Sequence, residues 1–239
     1  MTEAELEELL TDHPTLYHMA EEGSWPSIRE KGLLSTSALL DLYGVKGAER
    51  EGIEAERRPG SVVLEDAALG RAVIRDNGPL NARKLARALP PDLPVAEWLR
   101  LLNGRVFFWL TEDRLGRLLG AKLYRDKVHD VLEVEAAPLV AAHRARIELS
   151  PINSGVTDPF PAPRGRDTFR SIADYPYAEW RRKRGRRGEP VVELAVLGGV
   201  PDVARFVRRV RRMRGGVAEG VLWERGASPD AAPGVGPGA

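Results

Sequence analysis

The chain contains no cysteine, which excludes disulfides, thiolate metal sites and a cysteine nucleophile. Histidine is scarce as well: His13, His18, His129 and His143 show no HxxxH spacing, so a zinc site is not expected. No apolar run reaches the length of a membrane span, and the opening MTEAELEELL lacks the basic-then-apolar order of a signal peptide. The expectation is a cytoplasmic protein with no membrane partner. Neither GxGxxG nor GxxxxGK[ST] occurs, so a bound nucleotide would not use a Rossmann or P-loop cradle. Chemistry is left to histidine, carboxylates, arginine and aromatics.

At 239 residues and 43% hydrophobic, the chain is long enough to bury one substantial core. Its net charge is only +1, yet RRKRGRR at 181–187 and RFVRRVRRMR at 205–214 concentrate the positive residues. Such clusters attract phosphate backbones; they also occur as a solvated loop and an exposed helix face.

Residues 1–13 read as an acidic N-terminal helix and TLYHMA as a strand. SWPSIREKGLLS reads as a helix with Ser24 at its N-cap, Pro26 in its first turn and Gly32 as its stop. Residues 37–58 continue helical up to the turn at Pro59-Gly60, and 61–81 read as irregular apart from a short strand at VIR. Two helical pieces broken at PPDLP lead to RVFFWLT, a buried strand, and to DRLGRLLGAKLYRD, an amphipathic helix. Further strands are expected at VLEVE, near the end of PLVAAHRARIELS after a short helix, and in PVVELAVLGGVPD; a long loop lies between the last two. Residues 202–214 read as a basic helix or helical turn, and 226–239 as a disordered, low-complexity tail. Early helices followed by closely connected strands imply an α+β fold, mainly a single domain, with a largely antiparallel sheet.

YHMAEEGSWPSIREKGLLS resembles the opening of the DarT-type DNA ADP-ribosyltransferase toxins, a strand bearing Tyr-His followed by a helix of the pattern LPSILEHGLLS. It is similar in this to the wider ADP-ribosyltransferase superfamily of the His-Tyr-Glu type. IEAERRPGSVV, RVFFWLT and VVELAVLGGVP then resemble, in order, the arginine-bearing segment, the second core strand and the late strand with the catalytic glutamate. The resemblance implies an ADP-ribosyltransferase-like domain over 14–214 with a split antiparallel β core. RDNGPL, LNGRVFFW and INSG also suggest a narrower bacterial family that lends no mechanism of its own.

The resemblance further implies an NAD-dependent mono-ADP-ribosyltransferase acting on a nucleic acid base, with NAD as co-substrate and no metal. His18 would bind the adenosine-side ribose, Arg57 and Arg58 would stand near the diphosphate and the reacting centre, and Glu193 would be the catalytic carboxylate. Guanidinium suits phosphate through its bidentate fork, and a carboxylate on a ribose hydroxyl suits a developing oxocarbenium charge. Tyr124 matches the superfamily tyrosine on the helix after the second strand. Phe107, Phe108, Trp109 and Tyr124 are the aromatics that could wall the nicotinamide, with Phe108 and Tyr124 the ones chosen, although adjacent strand residues face opposite sides, so one of Phe107 and Phe108 must be core. Arg75, Asn153 and Ser154 are candidates for substrate contact; an ion pair explains the first as well, and a tight turn explains the other two.

DNA is favoured over RNA as acceptor, and an antitoxin or an ADP-ribosyl hydrolase is a possible partner. The alternatives are a protein or small-molecule ADP-ribosyltransferase, an RNA 2′-phosphotransferase, and a non-catalytic nucleic-acid-binding module. Glu189, beside the basic run, is expected to pair with an arginine in a loop.

Overall fold

The computed structural model, which describes residues 1–185 and 188–227, is built around an eight-stranded antiparallel sheet. The chain begins α1 (Glu3–Asp12), β1 (Thr15–Glu21), α2 (Trp25–Lys31), β2 (Leu33–Leu34), α3 (Thr36–Leu42) and α4 (Gly47–Ala55). It continues β3 (Val62–Asp66), β4 (Gly70–Ile74), α5 (Ala82–Ala88), α6 (Val95–Asn103), β5 (Arg105–Trp109) and α7 (Glu112–Leu119). Then come β6 (Val128–Glu135), α8 (Ala136–His143), β7 (Ile147–Ser150), β8 (Arg170–Ser171) and α9 (Tyr177–Arg184). The last strands are β9 (Glu193–Leu197), β10 (Gly199–Val200), β11 (Val207–Arg214) and β12 (Val217–Glu224). Across the sheet the order is β12-β11-β6-β1-β5-β9-β7-β8, while β2 pairs with β10 and β3 with β4 in two small separate sheets. The described residues form a mixed α+β single domain, as the order of elements led one to expect.

Alternation along the strands sends side chains to two helical layers. On one face Leu16, Phe108, Leu132, Val134, Leu149 and Leu194 pack with Leu6 and Leu9 of α1, Trp25 of α2 and Leu139 and Val140 of α8. On the other, Met19, Val131 and Met213 meet Leu115 and Leu119 of α7. Each such residue contributes about 1.5–3 kcal/mol by leaving water. Local signals agree: Thr2 and Glu5 form a capping box on α1, and Thr111 caps α7 by accepting from the Arg114 amide.

The centre of the sheet is where the fold makes room for a site. β1 pairs with β6 along seven residues, but its ladder with β5 contains the single pair Tyr17–Trp109. Beyond it the strands part, and the imidazole of His18 fills the break by donating from Nδ1 to the Phe107 carbonyl at 2.9 Å. Near by, α2 closes onto β10 only because Gly32 has no side chain. A Cβ there would lie 2.4 Å from Pro201 Cα, and φ is +91°.

Two stretches differ from expectation. Residues 207–214 are a strand rather than a helix. Val207, Val210 and Met213 are buried at a spacing of three, which imitates a helix period. Register shifts in the pairings of β11 with β6 and β12 produce that spacing, since each bulge inserts a residue and resets the alternation. Residues 61–81 hold the β3–β4 hairpin instead of one short strand, turned by the Asp66 side chain accepting from the Ala68 and Leu69 amides and by Gly70 at φ +68°. Of the basic run at 181–187, residues 181–184 end α9, while Arg186 and Arg187 lie outside the described residues, as does the expected tail from residue 228 onward.

Candidate active site

Where β1 and β5 part, a cavity of about 710 Å³ opens, within the range of about 300–1,000 Å³ usual for small-molecule sites. Its walls come from the end of β1, α2 with the turn after it, the β3–β4 hairpin, Arg75–Leu80, β5, the loop at 153–156 and the start of β9. His18, Arg58, Arg75, Tyr124, Asn153, Ser154 and Glu193 all line it, so residues spread from one end of the chain to the other converge there.

His18 is held in one tautomer. A carbonyl only accepts, so Nδ1 carries the proton to Phe107 and Nε2 is left as an acceptor. Burial pushes its pKa down to about 4, so the ring is neutral at physiological pH. A neutral acceptor facing a cleft suits a ligand hydroxyl.

Glu193 opens β9 with its side chain almost fully buried, and both its oxygens accept from the Ser154 amide at 3.2 and 3.1 Å. Burial raises its pKa to about 7, against the opposing pull of the Ser154 bonds and of Arg114 and Arg164. Ser154 is itself fixed by Arg164, a buried guanidinium that donates to the Ser154 carbonyl at 2.8 Å and to the Val156 carbonyl at 3.0 Å. Sequence reasoning overlooked Arg164, which sits in a Pro- and Gly-rich loop with no periodic signal around it.

Three assignments change. Phe108 is buried in the core, 1% exposed, with its ring 5.8 Å from that of His18; Phe107 and Trp109 line the cavity in its place. Arg57 is outside the cavity: its guanidinium donates to the Gly78 and Leu80 carbonyls and borders a separate surface groove. Arg58 does reach the wall, but its donors go to the Ile53 carbonyl, the Arg75 carbonyl and Asn103 Oδ1, and burial lowers its pKa to about 10. It is a staple between α4, α6 and the 75–77 turn, with Asn103 relaying to the Glu54 carbonyl.

Tyr124 lies in the turn after α7 rather than on a helix; its amide donates to the Ala121 carbonyl. Its hydroxyl donates to Asp76 Oδ1 at 2.8 Å, its ring stacks under the Arg75 guanidinium at 5.0 Å, and burial beside Asp76 pushes its pKa up. Sequence reasoning missed Asp76, whose place in RDNGPL carries no local signal beyond that of a turn. Glu189 pairs with Arg114 in a loop, as expected.

The basic runs are largely engaged. On β11, Arg208, Arg209 and Arg211 all pair with the buried Glu133, Arg212 approaches Asp130 and Arg214 pairs with Glu219. On α9, Arg181 pairs with Glu8, and Arg184 donates to the Pro151 carbonyl, just ahead of the loop that lines the cavity. Among the described residues no cluster of potential metal ligands is present, and no helix is long and apolar enough to cross a membrane.

Residues 14–207 match the family of unknown function DUF7002, and the chain belongs to that family. No curated protein matches it.

Proposed function

We propose that this member of a family without an assigned activity cleaves NAD and transfers its ADP-ribose to an acceptor. The observation that carries the reading is the convergence of His18 and Glu193 in one cavity at the split between β1 and β5. The resemblance described above supplies the reaction; the cavity supplies groups whose chemistry suits it.

In this reading Nε2 of His18 accepts from a ribose hydroxyl of the adenosine half, and Phe107 and Trp109 provide the aromatic wall for nicotinamide. Arg58 stabilises the wall without contacting the diphosphate, which we assign instead to Arg71, an exposed cation of the hairpin lining the cavity. Ionised Glu193 accepts from a hydroxyl of the reacting ribose, orients the sugar and offsets the positive charge that builds as the bond breaks. The bonding pair leaves with nicotinamide and neutralises its pyridinium. The anomeric carbon takes a lone pair from the acceptor, whose proton passes to Glu193 or water.

A nucleic acid base is the proposed acceptor, DNA before RNA. Support has moved from β11, where the arginines are paired, to the basic end of α9 and its link through Arg184 to the 153–156 loop. A single-stranded base is the reachable substrate, because a paired one must first be flipped out. The test is incubation with NAD and either single-stranded DNA, RNA or neither, followed by mass spectrometry of the nucleic acid. ADP-ribose on DNA supports the reading; nicotinamide release with neither polymer modified redirects the acceptor to a protein or small molecule.

A further inference from the structure

The arginines of β11 have counter-ions, but a second set of cations does not. Arg57, Arg83, Lys122 and Lys127 are exposed, and the carboxylates beside them are engaged elsewhere: Asp158 pairs with Lys84 and Asp126 with Arg125. The four gather around the Asp76–Leu80 turn. Arg57 donates from Nε and Nη2 to the Leu80 and Gly78 carbonyls at 2.5 and 2.7 Å, and its Nη1 makes no hydrogen bond among the described residues. Arg83, in the first turn of α5, lines with it a groove of about 480 Å³. At the same turn Leu123, the neighbour of Lys122, lies so close to Gly78 that a side chain there would collide with it, and Lys127 Nζ stands 5.9 Å from the Tyr124 ring.

Beside the groove is an uncovered aromatic ring. Phe160 is 90% exposed, against 69% for Val217, the next most exposed large apolar residue described. The chain just before it is fixed, since Asp158 lines the groove and Lys84 donates to the Pro159 carbonyl at 3.1 Å. Leu80 belongs to the walls of both the groove and the central cavity. The Thr157 hydroxyl ties this turn to the 153–156 loop, accepting from the Asn81 amide at 2.8 Å and donating to the Pro79 carbonyl at 3.3 Å. Arg184 of α9 reaches the start of that loop at the Pro151 carbonyl, so the surface continues the basic end of α9.

Unpaired cations, a trough and a bare ring define the partner. A bilayer offers no chain to lie in a trough, and one ring on a loop anchors it weakly. An acidic polypeptide satisfies the cations without supplying a ring at regular spacing. A single-stranded nucleic acid alternates phosphates with stackable bases. We infer that Arg57, Arg83, Lys122, Lys127 and Phe160 form a docking surface for a single-stranded nucleic acid, the cations holding phosphates and Phe160 stacking on a base, so that the strand runs beside the cavity. This rests on the nucleic-acid reading of the acceptor and is tested by binding without NAD.

The experiment is fluorescence anisotropy with a labelled single-stranded oligonucleotide of mixed sequence, over a range of salt concentrations. Wild type is compared with Arg83→Ala/Lys122→Ala/Lys127→Ala and with Phe160→Ala; all four positions are exposed, and thermal melting confirms folding. The triple variant should bind about tenfold more weakly at low salt and lower the slope of log affinity against log salt by about 2, as for three lost phosphate contacts. Phe160→Ala should bind about fivefold or more weakly with its slope unchanged, as for a lost stack. Duplex of the same sequence, whose bases are already stacked, should not distinguish Phe160→Ala from wild type.

Either variant binding the single strand as wild type does would overturn the inference. So would losses seen only with anionic phospholipid vesicles or polyglutamate, which would assign the surface to a membrane or an acidic protein. Strand binding that depends on these residues in a protein releasing no nicotinamide from NAD would keep the surface and discard the transfer reading; release without strand binding would do the reverse.

Discussion

At Glu193 the proposed function and stability pull in opposite directions. Its pKa is raised from 4.5 to about 7 by burial, so the folded protein holds a proton that the unfolded chain releases between those values. Its contribution is complete below about pH 4.5 and is lost as pH rises through 7. Glu193→Gln, which does not titrate, should therefore be the more stable protein at pH 8 by up to about 3 kcal/mol, seen as a higher melting temperature. The proposed reaction needs the ionised form, so under that proposal wild-type nicotinamide release should climb between pH 6 and 8 with a midpoint near 7.

His18 titrates the other way. Its folded pKa of about 4 lies below the ordinary 6.5, so its contribution is complete above pH 6.5 and is lost as pH falls through that value towards 4. His18→Ala removes the Nε2 acceptor and strands the Phe107 carbonyl. NAD should bind about tenfold more weakly, with a stability loss of about 1–3 kcal/mol, measured by titration and thermal melting. Both residues were legible in the sequence because each stands in a segment with a recognisable neighbourhood. Asp76 and Arg164 were not, since a turn residue and a loop arginine acquire their meaning only from partners far along the chain.

At the level of elements, β11 shows how a strand can hide. Its three-residue burial spacing comes from bulges, and bulges depend on the partner strands rather than on local composition. The six arginines that suggested an exposed basic helix instead turn several guanidinium groups onto Glu133 of β6. Glu133→Ala would leave those neighbouring charges on β11 without their shared counter-ion. The arginines are partly exposed, so the cost should fall below the about 3–5 kcal/mol of a fully buried broken pair. A loss of about 2 kcal/mol, or about 4–8 °C in melting temperature, is expected.

On the scale of the whole molecule, the α+β class followed from the order of elements, whereas the split between β1 and β5 and the cavity within it depend on long-range pairing that no local pattern reports. The charge distribution bears on the acceptor. If nucleic acid docks along α9, then Arg182→Glu with Lys183→Glu should reduce modification of DNA several-fold and flatten its salt dependence. Nicotinamide release in the absence of acceptor should not change, because neither residue lines the cavity.

The most direct test of the central claim is nicotinamide release from NAD by the purified protein at pH 8, wild type beside Glu193→Gln, with folding of both confirmed by thermal melting. The expected result is steady release by wild type and a loss of about a hundredfold or more in the variant, as for removal of a principal electrostatic stabiliser. Equal release by the two folded proteins, or none from wild type with any acceptor supplied, would contradict an NAD-cleaving site centred on Glu193.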